Sequence, residues 1–170
     1  RVLWSDLDKL GMERYFDRPG TYYNAESGQM HLSMYGGKFQ VHCKSAKYPS
    51  SLVGEALEGV ILAEAAKLKP SIWHKYIRPM LADYKGWAMF TSTPEGRNWF
   101  YDLYRMGRDE DHPDWWSIRM PSWANDILFP QGRMDPEIVS MGAGMSQEKF
   151  NQEIGADFTE FVGRVFKDFD

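Results

Sequence analysis

Two short apolar runs, each leading into a polar tip and then a helical pattern, constrain this chain more than any other feature. Leu57-Glu58-Gly59-Val60-Ile61-Leu62 ends in three consecutive apolar residues before Ala63 and Glu64. A continuous apolar run suits a central parallel strand buried on both faces. After Lys67 and Pro70, apolar residues at Ile72, Trp73, Tyr76, Ile77, Met80 and Leu81 recur every three to four positions up to Gly86. That is the period of an amphipathic helix, which Pro79 must bend or shorten. Trp87-Ala88-Met89-Phe90 is a second apolar run, followed by Thr91-Ser92-Thr93-Pro94-Glu95-Gly96 and a helical stretch from Arg97 to Met106. Strand, loop, helix, strand, loop, helix is the alternation of an α/β fold with a mostly parallel sheet and right-handed crossovers. It predicts that Val60 to Leu62 and Trp87 to Phe90 are parallel strands of one sheet, with Glu64 and Thr91 at the same edge.

The flanking sequence fits around this frame. Apolar residues at Leu3, Leu7, Leu10 and Phe16 predict a helix over Val2 to Phe16, closed by Pro19 and Gly20. Gln29 to Met34 and Phe39 to Cys43 alternate in part and are joined by Tyr35-Gly36-Gly37-Lys38, a β-hairpin signal because paired glycines supply positive φ. Lys44 to Gly54 reads as a loop, Gly107 to Asp114 as charged and turn-like, Trp115 to Met120 as a further strand, and Pro121 to Gly132 as an irregular loop. Helices are expected over about Pro136 to Met141 and Gln147 to Phe158, before a tail ending Val165-Phe166-Lys167-Asp168-Phe169-Asp170.

At 170 residues and 43% hydrophobic content the chain has material for one packed domain. It contains no apolar stretch of the roughly 18 residues a membrane span needs, and Arg1 to Asp6 lack the order of a signal peptide, so a cytoplasmic protein is expected. The net charge of -4 argues against coating nucleic acid by bulk electrostatics. A single cysteine, Cys43, excludes an internal disulfide and a cysteine-based zinc cluster.

The residue types that carry chemistry sit at the two strand tips. A carboxylate at the end of a buried strand, here Glu64, is placed to orient and polarise a water attacking a γ-phosphate; it also suits an exposed strand end with no such role. Thr91, Ser92 and Thr93 stand where open α/β sheets hold ligands, and their hydroxyls suit a phosphate or the water ordered by Glu64. The same residues suit a helix cap, with Pro94 starting the next helix. His31, His42, His74 and His112 show no metal-ligand spacing and read as surface histidines. Trp115, Trp116 and Trp123 suit base stacking or packing, and Arg97, Arg105 and Arg108 suit phosphate contact or a solvated helix face.

The order of these pieces resembles the large terminase family. The resemblance rests on Gly37-Lys38, Ser45-Ala46, Leu52-Val53-Gly54-Glu55, the strand through Glu64-Ala65-Ala66, and above all Phe90-Thr91-Ser92-Thr93-Pro94-Glu95-Gly96-Arg97-Asn98-Trp99-Phe100-Tyr101-Asp102. In the tail, Phe150, Glu153, Phe158, Gly163, Val165 and Phe166 resemble the segment leading toward a ribonuclease-H-like nuclease domain. The resemblance spans about residues 29 to 170. It implies a partial P-loop NTPase of the additional-strand catalytic-glutamate type, with 1–145 the second half of the ATPase domain and 146–170 its end and linker. Glu64 becomes the catalytic glutamate of a Walker B strand, and Thr91, Ser92 and Thr93 the element that senses ATP and couples its hydrolysis to DNA movement. Further implications are ATP and Mg²⁺ as substrate and cofactor, double-stranded DNA, a portal protein and a small terminase subunit as partners, and a homo-oligomeric ring at a procapsid vertex in the host cytoplasm.

Two positions depart from the family pattern. Ala63 replaces the aspartate that holds the water shell of Mg²⁺, and Val53 replaces a basic residue that stabilises the transition state on a neighbouring subunit, for which Lys47 and Arg97 are the candidate substitutes. No G-x-x-x-x-G-K-[ST] occurs, so the phosphate-cradling loop is missing. Asp168 and Asp170 read as a solvated linker rather than nuclease metal ligands. The chain thus reads as a piece cut upstream of Arg1 and downstream of Asp170, inactive alone. Two other readings stay open: a non-catalytic docking or DNA-binding module, and a helicase-like P-loop translocase.

Overall fold

The computed structural model describes residues 2–16 and 20–159, and the chain divides into two units, 1–54 and 55–170. In the first unit, α1 (Val2–Lys9) is followed by Gly11 at φ +66° and a 3-10 turn over Met12–Tyr15. The helix expected to run to Phe16 is therefore broken in its middle. Glycine adopts the left-handed conformation without steric cost and ends the helical ladder. Leu10, on the expected apolar stripe, is 72% exposed. Pro19, the expected stop, lies outside the described residues.

Three antiparallel strands follow in the order β1 (Tyr22–Asn24), β2 (Gln29–Met34) and β3 (Gly37–His42). β2 and β3 form the expected hairpin, with Met34 opposite Gly37. Its two-residue turn places Tyr35 at φ 52° and Gly36 at φ 77°, the paired positive φ that matches strand twist. Gly37, expected in the loop, instead opens β3. β1, a strand of three residues, is too short to leave an alternating pattern; Asn24 folds it back onto β2 because its Oδ1 accepts from the amides of Glu26 and Ser27 at 3.0 and 3.2 Å.

In the second unit, β4 (Gly59–Ala63) and β5 (Trp87–Thr91) pair in parallel, with Leu62 opposite Phe90 and Ala63 opposite Thr91. The crossover between them contains a 3-10 turn (Ala65–Lys67), a π-helical segment (Ile72–Ile77) and α2 (Arg78–Met80). Pro79 accounts for the π geometry. It has no amide to donate to the carbonyl four residues back, and the chain widens before it so that the Arg78 amide reaches the Trp73 carbonyl. Ile72, Trp73, Ile77 and Leu81 remain buried on one side despite the change of period.

The sheet buries one face rather than both. On the covered face Leu62 is buried, and the Phe90 ring meets Trp73 and Trp99 edge-on at 4.8 and 6.2 Å and stacks on Trp115 at 6.1 Å. On the other face Ile61, Trp87 and Met89 are 61%, 58% and 52% exposed, with the Trp87 indole lying over Gly59. The π-helical segment and α3 meet the Leu62 side through Trp73 and Trp99, so among the described residues of this unit an apolar run fit for two covered faces has one left open.

α3 (Trp99–Met106), α4 (Pro136–Gly142) and α5 (Gln147–Glu153) complete the described unit, with Ile138 fully buried. The strand expected over Trp115 to Met120 does not form. Ser117 gives its amide to the Gly107 carbonyl at 3.2 Å and its hydroxyl to the Tyr104 carbonyl at 2.6 Å, so this segment bonds to the end of α3 rather than to a neighbouring strand. Trp115 and Trp123 are half-buried, Trp123 stacking on Phe150 at 6.0 Å with the Arg133 guanidinium over its ring, while Trp116 is exposed. α5 stops before Phe158, whose ring instead lies among Phe100, Tyr101 and Tyr104 at 5.0 to 5.9 Å. Gly163, Val165, Phe166, Asp168 and Asp170 lie outside the described residues.

Candidate functional site

Parallel pairing of β4 with β5 brings the two polar tips together. Ala63 and Thr91 are cross-strand partners, so Glu64 and Ser92 each follow directly at the same end of the sheet, as the strand pattern predicts. Glu64 ends β4 by entering the left-handed region, at φ 53° and ψ 40°. For a side chain with a Cβ this costs about 1–3 kcal/mol and persists only where the surroundings hold it. The surroundings here are a 3-10 turn, in which Lys67 and Leu68 donate their amides to the carbonyls of Glu64 and Ala65, each at 3.0 Å. Ala65 and Ala66 are buried at 0% and 5% exposure, so the turn is packed inward while Glu64 points to solvent.

The Glu64 carboxylate holds Lys67 Nζ at 2.9 Å, both side chains being largely exposed. The hydrogen bond and the charge of Glu64 raise the Lys67 ammonium above its usual value, with smaller contributions from Glu95 and Glu153. Solvent screens this pair, so it leaves the carboxylate open to exchange partners.

At the neighbouring tip Thr91, Ser92 and Thr93 are half-buried and Pro94 is buried. The Ser92 hydroxyl is buried and has no hydrogen-bond partner among the described residues. A buried hydroxyl gives up about 1–3 kcal/mol when unpaired, so a polar group arriving at this tip gains from meeting it. The helix cap expected from these residues is provided elsewhere: Asn98 is the N-cap of α3, its Oδ1 accepting from the Phe100 amide at 3.0 Å.

Three residues to which sequence reasoning assigned no role shape the site. Asn98 Nδ2 donates to the Ala66 carbonyl at 2.9 Å, and Trp99 Nε1 donates to the Leu68 carbonyl at 2.8 Å, fastening α3 to the turn behind Glu64. Gln152, 6% exposed on α5, accepts the Gly96 amide at 3.1 Å and fastens the other end of the Thr91–Gly96 loop. An asparagine before a helical run signals a cap, but its second bond is tertiary and leaves no mark on local sequence.

The other candidates within the described residues have partners of their own, line an open groove or lie in the first unit. His31 stacks on Tyr22, His42 Nε2 lies 3.2 Å from Gln40 Oε1, and His112 pairs with Asp109. Among the described residues no three His, Cys, Asp or Glu side chains gather as a metal-binding group. Arg97 lies over the Tyr101 ring, and Arg105 and Arg108 line an open groove with Asp102 and Asp109. Lys47 and Val53 belong to the first unit. No helix among the described residues is long and apolar enough to cross a membrane.

No family model matches the chain. Over 143 residues it is 34% identical to the terminase large subunit of Thermus phage G20c, a match that covers 75% of this chain and 28% of that protein. It is 32% identical over 168 residues to the terminase large subunit of Escherichia phage T5, covering 98% of this chain and 36% of that protein. The chain thus spans about a third of the length of these curated relatives. Among solved structures, the ATPase domain of the Thermus phage P74-26 large terminase is similar at a TM-score of 0.69 and 28% identity, over 94% of this chain and 70% of that one. The large terminase of bacteriophage D6E, solved in complex with ADP, is similar at a TM-score of 0.66 over 90% of this chain and 36% of that one; at 12% identity that likeness is one of fold.

Proposed function

Because the chain belongs to the large terminase family and has the fold of its ATPase domain, we propose that it is the second half of the ATP-hydrolysing domain of a viral DNA-packaging motor. The observation that carries this reading is the parallel register that sets Glu64 and Ser92 side by side at one end of the sheet. In the intact protein ATP is the substrate, and hydrolysis drives double-stranded DNA into a procapsid. A portal protein, a small terminase subunit and further copies in a ring are the partners of that activity. The host cytoplasm is its place, and a nuclease domain lies beyond the linker.

In this reading Glu64 orients the attacking water and accepts its proton, a general-base contribution worth about 100- to 10,000-fold. The orphaned Ser92 hydroxyl fits a ligand that brings an acceptor to the strand tip, and with Thr91 and Thr93 it reports the presence of the terminal phosphate. Mg²⁺ supplies neutralisation of the triphosphate charge. The Ala63 side chain offers it no oxygen, so any protein ligands of the ion would come from other positions. The phosphate-cradling loop is likewise absent from these 170 residues, and backbone amides of such a loop supply much of the contact to nucleotide. The isolated chain therefore binds ATP weakly or not at all.

Ala63 favours a second reading, a docking or DNA-binding module that has lost hydrolysis. One substitution separates the two. In the full-length protein Glu64→Gln keeps size and hydrogen-bonding reach and removes the charge, so ATP turnover is lost while folding and nucleotide binding persist. Turnover at the parental rate in that variant makes the module the better reading.

A further inference from the structure

We propose that Asn98 is a positioning residue for Glu64, its side chain tying the cap of α3 to the turn that carries the carboxylate. The assignment rests on the catalytic reading of Glu64 and deepens it. Asn98 uses both ends of its amide. Oδ1 accepts from the Phe100 amide at 3.0 Å, which fixes Nδ2 as the atom that donates to the Ala66 carbonyl at 2.9 Å.

The Ala66 carbonyl and the Lys67 amide belong to one peptide group. Asn98 holds its oxygen, and its N–H is bonded to the Glu64 carbonyl at 3.0 Å. The path from the α3 cap to the glutamate backbone is therefore two hydrogen bonds and one rigid peptide plane. It ends on the residue held at φ 53°, where the backbone has least tolerance for drift. Trp99, the next residue, adds a second fastening two positions further along the turn, its indole N–H bonded to the Leu68 carbonyl.

The residue type follows from the double duty. Serine, threonine and aspartate cap helices as well as asparagine does. Aspartate has no donor for the Ala66 carbonyl, and a hydroxyl is too short to serve the Phe100 amide and that carbonyl together. A chain that needed only a cap has four residues to choose from; one that needs the cap bonded to the Glu64 turn has asparagine. Asn98 also directly follows the loop that begins at Ser92, so one side chain joins the end of that loop to the turn behind Glu64.

The test uses Asn98→Asp in the full-length protein, because aspartate keeps the cap and turns an acceptor toward the Ala66 carbonyl in place of a donor. A displaced catalytic group costs on the order of 10- to 100-fold in rate. The expected result is a fall of that size in kcat, with KM for ATP and melting temperature near parental. In a Glu64→Gln background the same substitution is expected to leave residual turnover unchanged. Parental kcat in Asn98→Asp beside an inactive Glu64→Gln overturns the positioning role alone. Parental turnover in Glu64→Gln removes the reading beneath it. A kcat loss that comes only with raised KM and early melting also overturns it, and makes Asn98 an ordinary structural cap.

Discussion

Replacing Gln152 by methionine tests whether the loop between the two strand tips is anchored from α5. Gln152 is 6% exposed and its Oε1 accepts the Gly96 amide at 3.1 Å. Methionine has nearly the same length and shape and fills irregular gaps, so no cavity term enters. What remains is one neutral hydrogen bond, about 0.5–1.5 kcal/mol net, toward the upper part of that range because the Gly96 amide stays half-buried. A loss of about 1 kcal/mol lowers the melting temperature of a unit this size by roughly 3–6 °C. Native-state amide exchange read by NMR then shows Gly96 exchanging about fivefold faster or more, a change confined to the 92–98 loop when melting is corrected for. An unchanged Gly96 rate with an unchanged melting temperature refutes the anchor. A fall beyond about 10 °C refutes the single-bond arithmetic and makes Gln152 a packing residue first.

Gly107→Ala drives a Cβ into Ser117 Oγ and to 2.6 Å from its amide nitrogen, so denaturant unfolding is expected to show a loss of about 1–3 kcal/mol. Lys67 titrates above the usual lysine value of 10.5 because of Glu64; its folded value exceeds its unfolded one, so the stabilisation is complete below 10.5 and disappears as pH rises through the folded value. NMR titration is expected to show the Lys67 midpoint returning toward 10.5 in Glu64→Gln, and an unmoved midpoint removes Glu64 as its cause. Ile61→Lys, at a side chain 61% exposed, is expected to change the stability of this chain by no more than about 0.5 kcal/mol, measured by urea unfolding; a larger loss means that the open face of the sheet is covered in solution.

What sequence reasoning captured is what a local pattern determines. The runs at Val60 and Trp87 fixed strand type, order and the shared edge of Glu64 and Thr91, because two apolar segments separated by one helix admit few connections. The hairpin at Tyr35 and Gly36 was legible because its turn demands positive φ. The break at Gly11 was hidden because the apolar spacing runs through it, and a helical period does not register a single left-handed residue within it. The segment from Trp115 to Met120 has strand composition but spends its hydrogen bonds on the end of α3, a choice made by tertiary contact. The open face of the sheet was invisible for a related reason: apolar residues record fitness for burial, and Ile61, Trp87 and Met89 carry that fitness without a described partner. At the site the shared strand end of Glu64 and Thr91 was legible, whereas the bonds of Asn98, Trp99 and Gln152 were not, since each joins a residue more than thirty positions or more than fifty positions away.

The left-handed backbone of Glu64 sets thermal robustness against chemistry at a single codon. Glycine relieves a conformational cost of about 1 kcal/mol or more at such a position, so Glu64→Gly is a candidate stabilising change. A library of this domain screened for heat resistance alone should enrich glycine or asparagine at position 64; on the catalytic reading proposed for Glu64, a screen of the full-length protein for ATP turnover should purge both. The two enrichment profiles diverge at this residue even though its side chain lies on the surface, where most substitutions pass unnoticed in either screen.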